Sequence, residues 1–278
     1  MTKITTAIRR LGASQRARGI VSTAVALLAL LVPLPASAGS PDAPDPLVAK
    51  TRAAVEQFSQ QFTYLRYDED IEQQKLKSNE KIDYQRKTLF DSIMIIRYEE
   101  GGVRITEQRL MEKTPAHVDA RPLLATYGFS ALAMVFHPAY EFSFRFTRLG
   151  DDALQGTPLA RIRFEHLPGT PSPILYQMIT DDRPLDLSGT AWLDPATGAI
   201  HRIEVESGST LSEMGVKSIR AVLQYGPVVL QDETQPQWLP VSATIDLETP
   251  RQHWRNVHRF SDYRKYRVDV KLSGGQQP

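Results

Sequence analysis

The residues best equipped for chemistry are six histidines, His117, His137, His166, His201, His253 and His258. None stands in H-E-x-x-H or a comparable metal-ligating spacing, so no metal centre is expected. His253 and His258 are five apart, which on a strand turns them to opposite faces. There is no G-x-S-x-G elbow, and Ser207-Gly208-Ser209 has the composition of a strand-end turn. The doublets Asp151-Asp152 and Asp181-Asp182 are the residue type glycosidases pair, but glycine or proline nearby makes them read as loop punctuation. No catalytic residue is therefore assigned, and a hydrolase would require histidines or paired carboxylates to converge in a cleft with perturbed pKa values. One further run has chemical potential. Arg251, Arg255, Arg259, Arg264, Lys265, Arg267 and Lys271 interleave with Trp254, Phe260, Tyr263 and Tyr266. These are the ingredients of a nucleic-acid or anionic-membrane patch, and also what the wet and dry faces of a strand produce.

Composition narrows these options. The chain has 278 residues, 41% hydrophobic and 23% charged, as an ordinary globular protein has. It contains no cysteine, which removes disulfides, thiol nucleophiles, thiolate metal sites and a cysteine-linked lipid anchor. No cofactor is expected. Lys3, Arg9, Arg10, Arg16 and Arg18 precede the apolar run 19–34, which is followed by Ala36-Ser37-Ala38. That run, at about 16 residues, falls short of the roughly 20 a spanning helix needs, so residues 1–38 read as a signal peptide cleaved after Ala38. Removing its five basic residues leaves 28 Lys+Arg against 32 Asp+Glu, a net of −4. A mildly acidic exported domain has no global electrostatic reason to hold nucleic acid, and the basic C-terminal run is read as a solvated strand face, with lipid headgroup contact as the next option. Periplasmic location and a monomer are expected.

The remaining sequence reads as a β-meander with two helices. Residues 39–46 read as a flexible leader. Leu47, Val48, Ala54, Val55, Phe58 and Phe62 share one stripe of an amphipathic helix. Residues 62–76 and 82–98 change to period two, and a strand of about 17 residues suits a strongly curved or barrel-like sheet. Gly101-Gly102 turns it into a hairpin with 103–111. The stretch 122–136 carries no charge and is predicted as a helix, apolar all round, between Pro122 and His137-Pro138. Alternation then marks strands around 142–147, 160–165, 190–193, 200–206, 218–225, 238–248 and 256–268. That makes about ten strands, with short connections favouring antiparallel neighbours and one long Pro/Asp-rich excursion over 167–188.

These residues resemble a known family. The N-terminal amphipathic helix, the long meander, Val135-Phe136-His137-Pro138 and the hairpin Gly189-Thr190-Ala191-Trp192-Leu193-Asp194-Pro195-Ala196-Thr197-Gly198-Ala199-Ile200-His201-Arg202-Ile203-Glu204 resemble uncharacterised periplasmic relatives of the lipoprotein-carrier LolA/LolB-like superfamily. Weaker echoes are Trp238-Leu239-Pro240-Val241 and 260–266. The resemblance spans most of 47–270 and implies an unclosed antiparallel half-barrel, mainly β, whose apolar concave face is lidded by helices and binds acyl chains or lipoprotein partners. A single domain over 47–272 with a disordered tail, 273–278, is expected.

The expectation is thus a non-enzymatic binding protein for a lipid, lipoprotein or other apolar ligand. The candidate lining is Leu124, Phe129, Leu132, Val135 and Phe136 from the mid-chain helix, with Phe142, Phe144, Phe146, Ile162, Phe164 and Trp192 from the sheet. The alternative is an envelope interaction or sensor module that binds a protein partner through the concave face or an exposed sheet edge. An enclosed apolar cavity between helix and sheet favours the first, a filled core with an exposed patch the second.

Overall fold

The computed structural model describes residues 45–100, 102–112, 126, 128–177, 182–207, 211, 215–231 and 233–265. Helix α1 runs Pro46–Gln61. Asp45 caps it, its side chain accepting from the Leu47 backbone N–H at 2.8 Å, and Pro46 supplies the preset first-turn φ. Its stripe Leu47, Val48, Thr51, Val55 and Ser59 is buried, and it stops where Phe62 turns extended.

Among the described residues twelve strands follow: β1 Tyr64–Leu76, β2 Ile82–Glu99, β3 Gly102–Glu112, β4 Phe144–Leu154, β5 Thr157–His166, β6 Leu175–Gln177, β7 Asp182–Pro184, β8 Leu187–Leu193, β9 Ile200–Ser207, β10 Ser218–Val229, β11 Pro236–Glu248 and β12 His253–Lys265. Ten of them form one sheet in the order β3-β2-β1-β12-β11-β10-β9-β8-β5-β4, and every pairing is antiparallel. β3 and β4 are edges, so the sheet is an unclosed half-barrel. Short connections make neighbours of most consecutive strands, as expected, but β1 pairs with β12, bringing the two ends of the chain's strand series together at mid-sheet. The excursion 167–188 contains the separate two-stranded ribbon β6–β7.

The sheet's curvature has a visible cause in its register shifts, at Arg66/Asp68, Asp91/Ser92, Arg148/Gly150 and Gln224/Tyr225 among others. Each bulge adds local twist and bends its strand. The concave face follows from parity: Leu65 and Tyr67 of β1, Ala191 and Leu193 of β8, Leu223 of β10 and Leu239, Ala243 and Ile245 of β11 are buried in one core with α1.

The mid-chain apolar stretch differs from the predicted helix. Among the described residues it is a 3-10 helix, η1, over Phe129–Phe136, followed by a second short one, η2, over Pro138–Tyr140. Residues 122–125 lie outside the described residues. Gly128 enters η1 at φ 88°, a left-handed conformation, and its N–H donates to Glu107 Oε2 at 2.6 Å. Glu107 also accepts from the Ser130 N–H at 2.9 Å and from the Ser130 hydroxyl, so an edge-strand carboxylate takes up the first donors of η1. Leu132, Met134, Val135 and Phe136 are then sunk into the concave face.

Candidate functional site

A half-open apolar groove of about 210 Å³ lies between α1, η1 and the ends of strands β9 to β11. Helical spacing places Ala54, Phe58 and Gln61 of α1 along one wall, with Val55 and Gln57 beside them. Ser130 and Ala133, three apart on η1, form a second wall. The third comes from Gly198, Ala199 and Ile200 together with Tyr225, Gln237, Trp238 and Pro240.

The turn between β8 and β9 closes one side because it docks directly on α1. Asp194 Oδ1 accepts from the backbone N–H of Ala196 at 2.7 Å, and Gly198 takes φ +77°. A Cβ there would stand 2.8 Å from backbone atoms of Lys50 and Thr51, so only glycine allows this approach. Lys50 Nζ donates to the carbonyls of Pro195 and Ala196 at 2.8 and 3.0 Å and holds the turn down. Trp238 donates its indole N–H to the Ile200 carbonyl, which fixes its ring as wall, and the His201 ring lies 4.5 Å away. Burial holds His201 below its ordinary pKa.

Tyr225 is the polar exception. Its hydroxyl is buried with no hydrogen-bond partner among the described residues. Burial, reinforced by the nearby Glu107 charge, pushes the phenol well above its ordinary pKa, so it remains a protonated donor. A buried unpaired hydroxyl costs about 1–3 kcal/mol.

A second feature joins α1 to the mid-chain helices. His137 Nδ1 accepts from the Ala139 N–H at 3.1 Å, which leaves the proton on Nε2, facing Ser59 Oγ at 3.2 Å. Ser59 donates to the Glu56 carbonyl at 2.8 Å and meets the Tyr98 hydroxyl at 2.7 Å. Burial lowers the His137 pKa, so this latch is built on the neutral ring.

Deeper in the sheet is a polar cluster that sequence reasoning missed. Glu69, 3% exposed, accepts from Arg109 Nε and Nη2 at 2.9 and 3.1 Å and from Ser92 Oγ at 3.0 Å. His258 Nδ1 lies 2.8 Å from Glu69 Oε1, and Nε2 lies 2.9 Å from Thr126 Oγ1. Burial acts to raise the Glu69 pKa, but the hydrogen bonds and charges of His258 and Arg109 outweigh it and hold it at about 2. Hydroxyl, imidazole and carboxylate in line is the order of a hydrolytic triad. Here, however, Arg109 already neutralises the carboxylate, Asn256 Nδ2 donates to Thr126 Oγ1 at 2.8 Å, and His258 is 0% exposed, away from the groove lining. Arg109 Nη2 also donates to the Thr126 carbonyl at 2.7 Å. The cluster cross-links β1, β2, β3 and β12 to residue 126. Its signal in the sequence was parity: Glu69 stands on the same face as Leu65, Tyr67 and Ile71, the apolar face of β1.

The residues expected to line a cavity are placed differently. Leu132, Val135, Phe136, Phe144, Ile162 and Phe164 are all buried, and the rings fill the space between η1 and strands β4 and β5. Phe136 lies 5.1 Å from Phe146 and 6.0 Å from Phe164 between ring centroids. None of them lines the groove, which opens on the α1 side instead. Phe142 departs from the expectation outright, being 84% exposed in the turn after η2. Trp192 also departs: it lies out of step with buried Ala191 and Leu193, donates Nε1–H to Asp152 Oδ2 at 3.0 Å and carries the Arg202 guanidinium 5.6 Å over its ring. Leu124 lies outside the described residues, as does the Phe129 side chain. His117, Ser209 and Asp181 lie outside them too. Asp151 and Asp152 sit in β4 rather than a loop, paired with Arg148 at 2.9 Å and with Trp192. In the described part of the basic C-terminal run, Arg255 pairs with Asp246 at 2.8 Å and Arg264 with Asp68 at 3.3 Å.

No family model and no curated protein matches this chain. Solved structures do match. A DUF1329 family protein from Desulfovibrio piger is 9% identical with a TM-score of 0.41, over 82% of this chain and 95% of that one. A LolA superfamily protein from Nitrosomonas europaea is 9% identical with a TM-score of 0.38, over 80% and 94%. A structure described as an outer membrane lipoprotein-sorting protein domain, from Vibrio parahaemolyticus, is 12% identical with a TM-score of 0.38, over 81% and 93%. Each is a protein this chain is similar to, and the half-barrel described above stands on the chain's own strand order.

Proposed function

We propose that the chain is an exported, non-enzymatic binding protein that holds one apolar chain of a lipid or lipoprotein in the groove between α1 and η1. The observation that carries this reading is the groove itself: about 210 Å³, half-open, with aromatic and small aliphatic walls. Sites for drug-sized ligands run to about 300–1,000 Å³, so this volume suits a single linear chain rather than a whole multi-chain lipid. Each methylene taken from water there contributes roughly 0.8 kcal/mol. The basic, apolar and small-residue succession of 1–38 supports export to the periplasm.

Uptake of the uncharged dye N-phenylnaphthylamine by delipidated protein tests the reading. Saturable fluorescence, abolished in Ala133→Phe and in Ala54→Phe while each variant keeps its folded circular dichroism, is the expected result. No uptake by the wild type, or undiminished uptake by both variants, overturns it.

A second reading has its own observation. Both sheet edges carry an exposed leucine, Leu110 on β3 at 51% and Leu149 on β4 at 44%. Unpaired edges are templates for strand addition, so these would serve a protein partner in the envelope. Replacing both with lysine would then abolish partner capture without touching dye uptake.

A further inference from the structure

The groove combines apolar walls with an unusual poverty of charge. Among the described residues its polar side chains are the amides of Gln57, Gln61 and Gln237, the hydroxyls of Ser130 and Tyr225 and the indole N–H of Trp238, which the Ile200 carbonyl takes up, and no lysine, arginine, aspartate or glutamate contributes to the lining. The cations flanking it are already engaged. Lys50 is held by two turn carbonyls at 2.8 and 3.0 Å. Arg52, on the next turn-face of α1, pairs with Glu141 at 3.3 Å and lies 5.5 Å over the Phe146 ring. Lys265 pairs with Glu233 and lies 5.1 Å over Phe62. On the opposite rim Gln237 Nε2 donates to Glu233 Oε2 at 3.1 Å, a carboxylate already paired with Lys265.

A ligand with an anionic head would therefore lose water at the groove without gaining a cation, and burying an unpaired charge is costly. A cationic head would find carboxylates only beyond the lining, Glu107 taken up by the Gly128 and Ser130 donors and Glu233 by Lys265 and Gln237. What the lining does offer is neutral donors and acceptors, three primary amides and the Ser130 hydroxyl, with the unpaired Tyr225 hydroxyl buried in the wall behind them. Such groups match an ester or amide at the end of an alkyl chain.

We infer that the groove selects acyl chains whose head is an uncharged ester or amide over the corresponding free carboxylates. This rests on the apolar-chain reading of the same groove, and narrows it from any apolar chain to a neutral acyl class.

Three probes of equal chain length separate the possibilities: 1-decanoylglycerol, decanoate and decyltrimethylammonium, each titrated at pH 7.5 below its critical micelle concentration against bound N-phenylnaphthylamine. The expected result is displacement by decanoylglycerol at concentrations at least tenfold below those needed for the other two. Gln61, exposed on α1, provides the converse test. Gln61→Arg installs a cation at the rim and should improve decanoate at least tenfold relative to decanoylglycerol. Equal displacement by ester and carboxylate, tightest binding of the ammonium, or no gain of decanoate in Gln61→Arg overturns the selectivity while leaving the groove reading in place. Failure of the dye itself to bind the wild type overturns the underlying reading instead.

Discussion

Replacing Glu69 with glutamine removes one charge from the middle of the sheet at nearly constant volume. The carboxylate is 3% exposed and held at about 2 against an ordinary 4.5, a difference worth about 3 kcal/mol at roughly 1.4 kcal/mol per pH unit. Burial opposes the ionised form, so this stabilisation comes from His258 and Arg109, and glutamine keeps only the weaker neutral hydrogen bonds. Glu69→Gln should therefore cost about 3 kcal/mol at pH 7, or roughly 6–12 °C in Tm for a domain of this size. The folded pKa lies below the unfolded one, so the contribution is complete above about pH 4.5 and is lost as pH falls toward 2. Urea unfolding of wild type and variant at pH 7, 4.5 and 3 reads both quantities. A gap of about 3 kcal/mol at pH 7 that shrinks by pH 3 is expected. A gap under 1 kcal/mol, or one unchanged across this range, would refute the assignment of Glu69 as the charged centre of the cross-link.

Other perturbations test separate links. Gly189→Ala places a Cβ 2.3 Å from the Glu204 carbonyl oxygen and 2.5 Å from Phe164 Cζ, and because the first is sheet backbone, urea unfolding should show a loss of about 2 kcal/mol or more. Phe136→Ala opens the aromatic cluster and should cost about 3–5 kcal/mol by the same assay, whereas Phe142→Ser, at a position 84% exposed, should change stability by no more than about 0.5 kcal/mol. His137 and His201 are both held below 6.5 by burial, so below that pH the unfolded chain takes up protons that the folded one refuses. Stability should fall as pH drops from about 6.5 toward the folded values, and His137→Gln should flatten part of that slope, measured as urea midpoints between pH 7.5 and 5.5.

Much of the architecture was legible because strand parity and turn chemistry are local. Alternation in 142–147 and 160–165, the Gly101-Gly102 turn and Asp194-Pro195-Ala196-Thr197-Gly198 each specify backbone geometry within a few residues, and the strands and hairpins stand close to where that pattern puts them. The pairing of β1 with β12 was not legible, since it depends on how far the sheet curls before the chain returns. The length of the mid-chain helix was misjudged because composition identifies a buried segment without fixing its helical type. Here the 3-10 geometry starts at Gly128, where Glu107 from an edge strand takes the leading N–H groups. The site was the least legible part. Apolar residues on a concave face either pack together or leave room, and the sequence of Phe136, Phe144, Phe146 and Phe164 is the same in both cases. What opens the groove instead is smallness at Ala54, Ala133, Gly198 and Ala199, on elements far apart in sequence. Small residues carry no periodic signature of a cavity.

Crystallography can locate a bound chain either in the groove or among the core phenylalanines. Crystals of the protein with a 10-bromodecanoyl ester would mark the chain end by anomalous scattering. The expected result is a bromine peak in the groove among Phe58, Ala133 and Trp238, with the rings of Phe136, Phe144 and Phe164 unmoved. A peak among those phenylalanines, or on the convex face of the sheet, would contradict it.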